Sequence, residues 1–402
     1  MRTLTVEDQL RQVLGTCRPL EPFELPVLEA AGCVIAENVS TESQLPPFPT
    51  VTQEGYAVRA ADLQPAASGQ VLRLTVIDQV RAGFRPTQPL APGTAIRVGV
   101  GAMLPPGADA VVPITATDQG QQVVSLAQGV VVGQGFRPAG SVAEIGQIAV
   151  PQGTELGPVQ LAAAVAAGRA RVAVHAAPRV VVITIGSELT EASGPLQPGL
   201  IRDADAVMMC AATQAAGALA YRAGPVPDDP AVLATVVEGQ LVRADALVLV
   251  GGIGGVTIAA LQHLGCLDLA YARLDPGPAV GYGTIEQRIP IFSIPGDPVA
   301  AFVAHEIFVR PAIRRMMGRR HVFRPVVRAR LRTAVQAPGG LRRFAPAAVS
   351  GRDGKYIVEP VPAGQASSLL AAVSVNGLVV IPEEAAAVAA GEDVLVIRLD
   401  RE

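Results

Sequence analysis

The sequence is poor in the residues that most often announce a function. It has no tryptophan, and only 3% of its 402 residues are aromatic. Lys355 is its only lysine; every other basic side chain is arginine. The four cysteines, Cys17, Cys33, Cys210 and Cys266, lie far apart without CxxC spacing. They read as structural thiols rather than metal ligands or a disulfide framework. No apolar run approaches the ~20 residues a membrane span needs. The longest, such as RVVVITIG and DALVLVGG, are short and end in glycine. The opening MRTLTVEDQLRQVL mixes acids with bases around no apolar core, so neither a secretory nor a transit signal is indicated and a cytoplasmic location is expected.

These absences exclude several classes. With a net charge of -3 and one aromatic, Phe323, in the basic stretch from Arg314 to Arg332, no nucleic-acid partner is expected. That stretch reads as a solvated helix end leading into an edge strand. His175, His263, His305 and His321 are scattered. Of these, His263 and His305 fall in apolar helices, where a satisfied core or surface histidine is the simpler reading. Ser187 lacks the GxSxG setting of a hydrolase nucleophile. The absence of lysine from the central region excludes a GxxxxGK[ST] phosphate loop.

What is present is order. The 41 glycines and 34 prolines in a chain of this length suggest several modest cores. Val6, Leu10, Val13 and Leu14 have helical spacing after Thr5, a candidate N-cap, with Gly15 as the expected stop. From about Leu45 to Ala149, the short runs VLRLTVID, TAIRVGVG, ADAVVPIT, QQVVSLA and GVVVGQG predict a mostly β domain. An Ala-rich helix follows. Continuous apolar strands at about 179–186, 245–252 and 289–296 then alternate with helices at 203–218 and 228–243, in VTIAALQHLG, and in DPVAAFVAHEIFVRPAIRRMMG. This pattern predicts a doubly wound parallel α/β domain covered on both faces. Beyond Arg324 the pattern returns to β and predicts a small barrel or sandwich.

Ligands of such sheets sit at the carboxyl ends of the strands. Three strand ends here stop at glycine before a helix. ITIGSELT offers Gly186, Ser187 and Glu188. VGGIGGVT offers Gly251, Gly252, Gly254 and Gly255, where backbone N–H groups would donate to a phosphate. SIPGDPVAAF offers Pro295, Gly296 and Asp297, with Asp297 and Pro298 as ordinary capping residues. Each turn alone is structural; three on one sheet edge suit a nucleotide-like anion, with carboxylates and a bound cation running the chemistry.

The segments LPPF, EGYAVR, IRVGVGAMLPPGADAVVP, PRVVVITIGSEL, GLIRDADA, VPDDP, ADALVLVGGIGGV, LDPGPAVGYG, SIPGDPVAAF and SVNGLVVIP occur in this order along the whole chain. In this it resembles the molybdopterin molybdenumtransferase family, which is similar to the C-terminal part of gephyrin. The resemblance implies a four-part subunit: a discontinuous N-terminal domain (1–45 plus 140–175), a β insertion domain (46–139), the α/β molybdopterin-binding-type domain (176–324) and a C-terminal β domain (325–402). It implies a homodimer, and the insertion of molybdate into adenylylated molybdopterin with Mg²⁺ and release of AMP. By the same resemblance, Glu54 and Glu188 are the catalytic candidates. Gly186, Ser187, Asp203, Asp205, Gly251, Gly252, Gly254, Gly255, Pro276, Gly277, Pro295, Gly296 and Asp297 would bind the cofactor, with Glu188 and Asp203 on the cation.

The chain departs from the family at its ligands. Where the family has PPFDNSAMDGYAVR, Pro49 and Val51 replace Asp and Ser, and Glu54 replaces the Asp before glycine. Ser187 replaces one of two adjacent acids, Gly254 a serine, Thr257 an aspartate and Pro278 a lysine. Conversely, Asp205 and Asp297 are acids where the family usually has asparagine. Two readings follow: a molybdenumtransferase with a rebuilt cation site, or a non-catalytic gephyrin-like scaffold that binds a protein partner.

Overall fold

The computed structural model describes residues 2–68, 70–193, 196–252, 254–265, 270–277, 280–352, 355–365 and 368–400; Ile253, Cys266 and Pro278 lie outside them. The chain forms two compact units, Met1–Phe23 with Ala173–Glu402, and Glu24–Val172.

The first unit opens with β1 (Arg2–Leu4) and α1 (Val6–Thr16), capped by the Thr5 side chain on the Asp8 amide. Gly15 does not stop α1, which runs on to Thr16. Gly15 is not in the left-handed region, and a glycine in the helical region costs only about 1 kcal/mol. There follow β2 (Arg179–Ile185), α2 (Ala204–Ala215), β3 (Leu219–Val226), α3 (Pro230–Leu241), β4 (Ala246–Gly251) and α4 (Gly255–His263). Next come β5 (Ala270–Ala272), β6 (Val280–Ile285), β7 (Ile289–Ile294) and α5 (Pro298–Ala304).

These strands form one sheet in the order β1–β5–β6–β7–β4–β2–β3. Strands β7, β4, β2 and β3 are parallel. Of these, β7, β4 and β2 are continuous apolar runs because both faces are covered. One core packs under α1, α2 and α5, the other under α3 and α4. Two features were not expected. The sheet is mixed, because β6 runs antiparallel to both β7 and β5. A tight connection joins β6 to β7, with Glu286 and Gln287 both at φ 54°, and only antiparallel neighbours can be joined so closely. Strand β3 itself is an edge strand whose exposed positions dilute its apolar signal.

Helix α5 continues through a π turn (His305–Val309) into α6 (Arg310–Met316). Of the stretch expected to be solvated, Arg315, Arg320, Arg328, Arg330 and Arg332 are exposed, whereas Arg314 is buried, as is Arg310 just before it. The segment after α6 folds back, so that Arg310 donates to the Val322 carbonyl at 3.1 Å and Arg314 to that of His321 at 3.1 Å.

The C-terminal strands β8 (Val326–Leu331), β9 (Arg342–Arg352), β10 (Lys355–Pro360), β11 (Gly377–Ile381) and β12 (Asp393–Arg398) run in the order β9–β10–β8–β12–β11. Pairing of β11 with β9 closes a barrel. The short strand Leu274–Asp275 adds to β9, where Arg343 pairs with Asp275 at 2.9 Å.

In the second unit a five-stranded sheet has the order Ala110–Pro113, Gly55–Val58, Thr94–Val98, Leu72–Val80, Val123–Leu126. The run GVVVGQG is a turn rather than a strand. Gly133 and Gly135 sit at φ 88° and 79°, and Val131 and Val132 face solvent. Among the described residues, no helix is long and apolar enough to cross a membrane.

Candidate functional site

The glycine turns at the carboxyl ends of β2, β4 and β7 meet through their backbones. A Cβ on Gly251, at φ 88°, would lie 2.5 Å from the Ile185 carbonyl oxygen, and one on Gly296 would lie 3.2 Å from the Gly251 Cα. One on Gly277, which follows Pro276, would lie 2.6 Å from Pro295 and 3.1 Å from Ala300. Any side chain at these positions would force the turns apart. Beside them opens a crevice of about 350 Å³, lined by Gly186, Glu188, Arg202, Asp203, Asp205 and Asp228 together with Gly251, Gly252 and Gly296.

The carboxylates around it have different duties. Asp203, buried, is the N-cap of α2: one oxygen accepts from the Ala206 amide at 3.0 Å. The other accepts from the Thr184 hydroxyl at 2.6 Å and from Arg222 at 3.2 Å. Expected as a cation ligand, Asp203 therefore has both oxygens in use. Arg222, on β3, also pairs with Glu191 at 2.9 Å. Asp205, two residues further, has a buried Oδ1 without a hydrogen-bond partner. Burial pushes its carboxyl up to about 7, and the negative charges of Asp203 and Asp297 add to the effect. An acid so placed lacks a counter-charge or a donor. Asp297 caps α5 through the Ala300 amide at 2.9 Å. The carboxylate of Glu188 folds back over Gly186, where a Cβ would meet it at 2.6 Å. Among the described residues, no three His, Cys, Asp or Glu side chains converge as a ready metal site.

The substituted positions have found structural work. Ser187 and Asp228 bond reciprocally: the Ser187 amide donates to Asp228 at 3.1 Å and the Asp228 amide to the Ser187 hydroxyl at 3.0 Å. Thr257 is buried and its hydroxyl donates to the Gly252 carbonyl at 2.7 Å. That bond ties the glycine loop to α4, whose N-cap Gly254 (φ 133°) offers no side chain and precedes Gly255. Glu54 belongs to the second unit, where it pairs with Arg97 at 3.2 Å and remains half exposed. There Val51 is buried in the core, and Gly55 is required because a Cβ would lie 1.9 Å from the Val112 carbonyl oxygen.

Sequence reasoning missed three charged residues of this region. Asp228 stood within VPDDP without a role, Arg202 within GLIRDADA, and Arg222 lay in the unrecognised strand β3. The one available signal was position, and only for two of them: Asp228 follows the end of β3 and Arg202 precedes the start of α2, whereas Arg222 lies mid-strand.

Comparison with known proteins bears on the whole chain. Residues 4–168 match the model of the MoeA N-terminal region (domain I and II), 181–315 that of a probable molybdopterin binding domain, and 328–399 that of the MoeA C-terminal region (domain IV). The chain is 34% identical over 414 residues to molybdopterin molybdenumtransferase 1 of Mycobacterium tuberculosis, covering 96% of this chain and 97% of that one. It is 29% identical to the molybdopterin molybdenumtransferase of Bacillus subtilis, with 99% and 95% covered. Two crystal structures of the molybdopterin biosynthesis MoeA protein of Pyrococcus horikoshii superpose with TM-scores of 0.88 and 0.80. They are 28% and 26% identical, covering 100% and 99% of this chain and 100% of theirs.

Proposed function

The chain belongs to the molybdopterin molybdenumtransferase family, a family of molybdenum cofactor biosynthesis, and from that premise we propose that it is a working transferase. It takes adenylylated molybdopterin and molybdate as substrates and releases AMP, in the cytoplasm and as a homodimer. The observation that carries this reading is the crevice itself. It keeps its glycine turns and buries an unpartnered carboxylate oxygen, on Asp205, among other acids. A chain kept only as a scaffold would gain nothing from burying an acid without a partner, since such burial costs stability.

The residues present fit a Mg²⁺ ion by their chemistry, because the available donors are hard carboxylate oxygens. Asp205 and Glu188 would hold it, with Asp203 kept in place by Thr184 and Arg222. Once bound, the ion would neutralise charge on the substrate's phosphates. The rest falls to this chain. The amides around Gly251, Gly252 and Gly296 orient the anionic part of the substrate. Ser187 and Asp228 lock the first turn against α3. Asp205 thus supplies an acid beside the turns where Ser187 and Thr257 stand in place of acids. Glu54, half exposed on its unit, is the other catalytic candidate.

Complementation tests this. Expressed in a host lacking its own molybdenumtransferase, the chain is expected to restore a molybdoenzyme's activity. A variant carrying Glu54→Asp, Ser187→Asp, Thr257→Asp and Pro278→Lys serves as the family-like reference. Failure of the well-folded unaltered chain, beside rescue by the reference, would overturn the proposal.

A further inference from the structure

We propose that Arg202 is the residue of this crevice that recognises the tetrahedral oxyanion of a substrate, whether phosphate or molybdate. The inference deepens the reading above and rests on it. Four carboxylates line the crevice, Glu188, Asp203, Asp205 and Asp228, and among the described residues Arg202 is the one basic side chain that does. An anion entering this space is repelled by the acids, and of the described side chains that line it Arg202 alone offers a compensating charge. In the family a lysine stands where this chain has Pro278, so the positive charge has to come from another position.

Arg202 is placed for that work. It sits in the short strand Ile201–Arg202, which pairs with Leu189–Thr190. Backbone bonds bracket it: the Ile201 amide donates to the Glu188 carbonyl at 2.8 Å and the Asp203 amide to that of Thr190 at 2.9 Å. Its Cα is therefore held firmly, and its guanidinium by a single long bond. The Nε donates to the Ala192 carbonyl at 3.3 Å, and among the described residues the group has no ion-pair partner. Arg222, close by, is the contrast, since Glu191 and Asp203 both claim it. The planar donor fork left to Arg202 matches two oxygens of a tetrahedral oxyanion, a geometry that lysine does not offer.

Titration calorimetry of the full chain with AMP and, separately, with sodium molybdate, both in the presence of magnesium, tests the assignment. Arg202→Gln is expected to weaken binding by about tenfold or more, and Arg202→Lys to fall between. The salt dependence of binding should shrink in the glutamine variant, with an unchanged melting temperature. A loss confined to AMP identifies the phosphate as the anion held, a loss confined to molybdate identifies the metal oxyanion, and a loss of both means one shared subsite. Binding of both anions by Arg202→Gln as tight as by the unaltered chain overturns the assignment and leaves the proposed function standing. If the unaltered chain binds neither anion, the functional reading falls and Arg202's role with it.

Discussion

Two clusters of buried charge in the same unit differ in how they are balanced. At the π turn, Glu306 lies between Arg310 and Arg324, with contacts of 3.9 Å and 2.9 Å. His305 beside it is fully buried, 3.3 Å from the Thr213 hydroxyl. At the crevice, Asp203 is paired in the same thorough way, yet Asp205 keeps an oxygen with no partner. The π-turn cluster ties α5 and α6 to the segment leading into the barrel, and its charges answer one another, although the neutral ring of His305 leaves its Nδ1 without a hydrogen-bond partner. The crevice holds an unanswered charge. A fold tolerates such a group where something from outside completes it.

The largest expected effect comes from disturbing the balanced cluster. Glu306→Gln withdraws the anion from between two guanidinium groups, and unfolding in denaturant should show a loss of about 3–5 kcal/mol. Acid should act on the same cluster through His305. Burial lowers its pKa to about 4, Arg310 and Arg324 also lower it, and Glu306 opposes them. The unfolded chain, near the ordinary histidine value of about 6.5, then binds more protons than the folded one between pH 6.5 and 4. Stability is therefore full above pH 6.5 and falls as pH drops towards 4, by up to about 3 kcal/mol. His305→Gln should remove that part of the slope in melts taken across this range.

The smallest change in stability belongs to the crevice and sharpens the contrast within it. Asp203→Asn loses part of a cap and an ion pair and should destabilise by about 1–3 kcal/mol. Asp205→Asn should cost no stability, because it withdraws a buried acid that has no partner, while reducing rescue in the complementation assay. Equal stability losses in both variants would erase the distinction between the two aspartates.

Much of this was legible in the sequence. The strands Arg179–Ile185, Ala246–Gly251 and Ile289–Ile294 announce themselves as apolar runs because both their faces are buried. The Asp297 cap and the glycine turns follow from local chemistry alone. Strand Leu219–Val226 was illegible because, at the sheet edge, every residue but Val226 is exposed or partly exposed. The antiparallel β6 escaped notice because its turn uses Glu286 and Gln287 where glycine or asparagine would have signalled it. Nor could the sequence separate Asp203 from Asp205. Their difference depends on Thr184 and Arg222, which reach Asp203 from two other strands.

The contacts among Gly251, Gly296, Gly277 and Pro295 bear on how such a site can change over generations. Neighbouring turns rest on one another through main chain and a proline ring, so the frame of the crevice is insensitive to which polar side chains decorate it. A lineage can lose an aspartate at one turn and gain another on the adjoining helix without passing through a collapsed intermediate. Mutational paths between ligand sets stay open, while the glycines themselves are the positions at which variation should be purged.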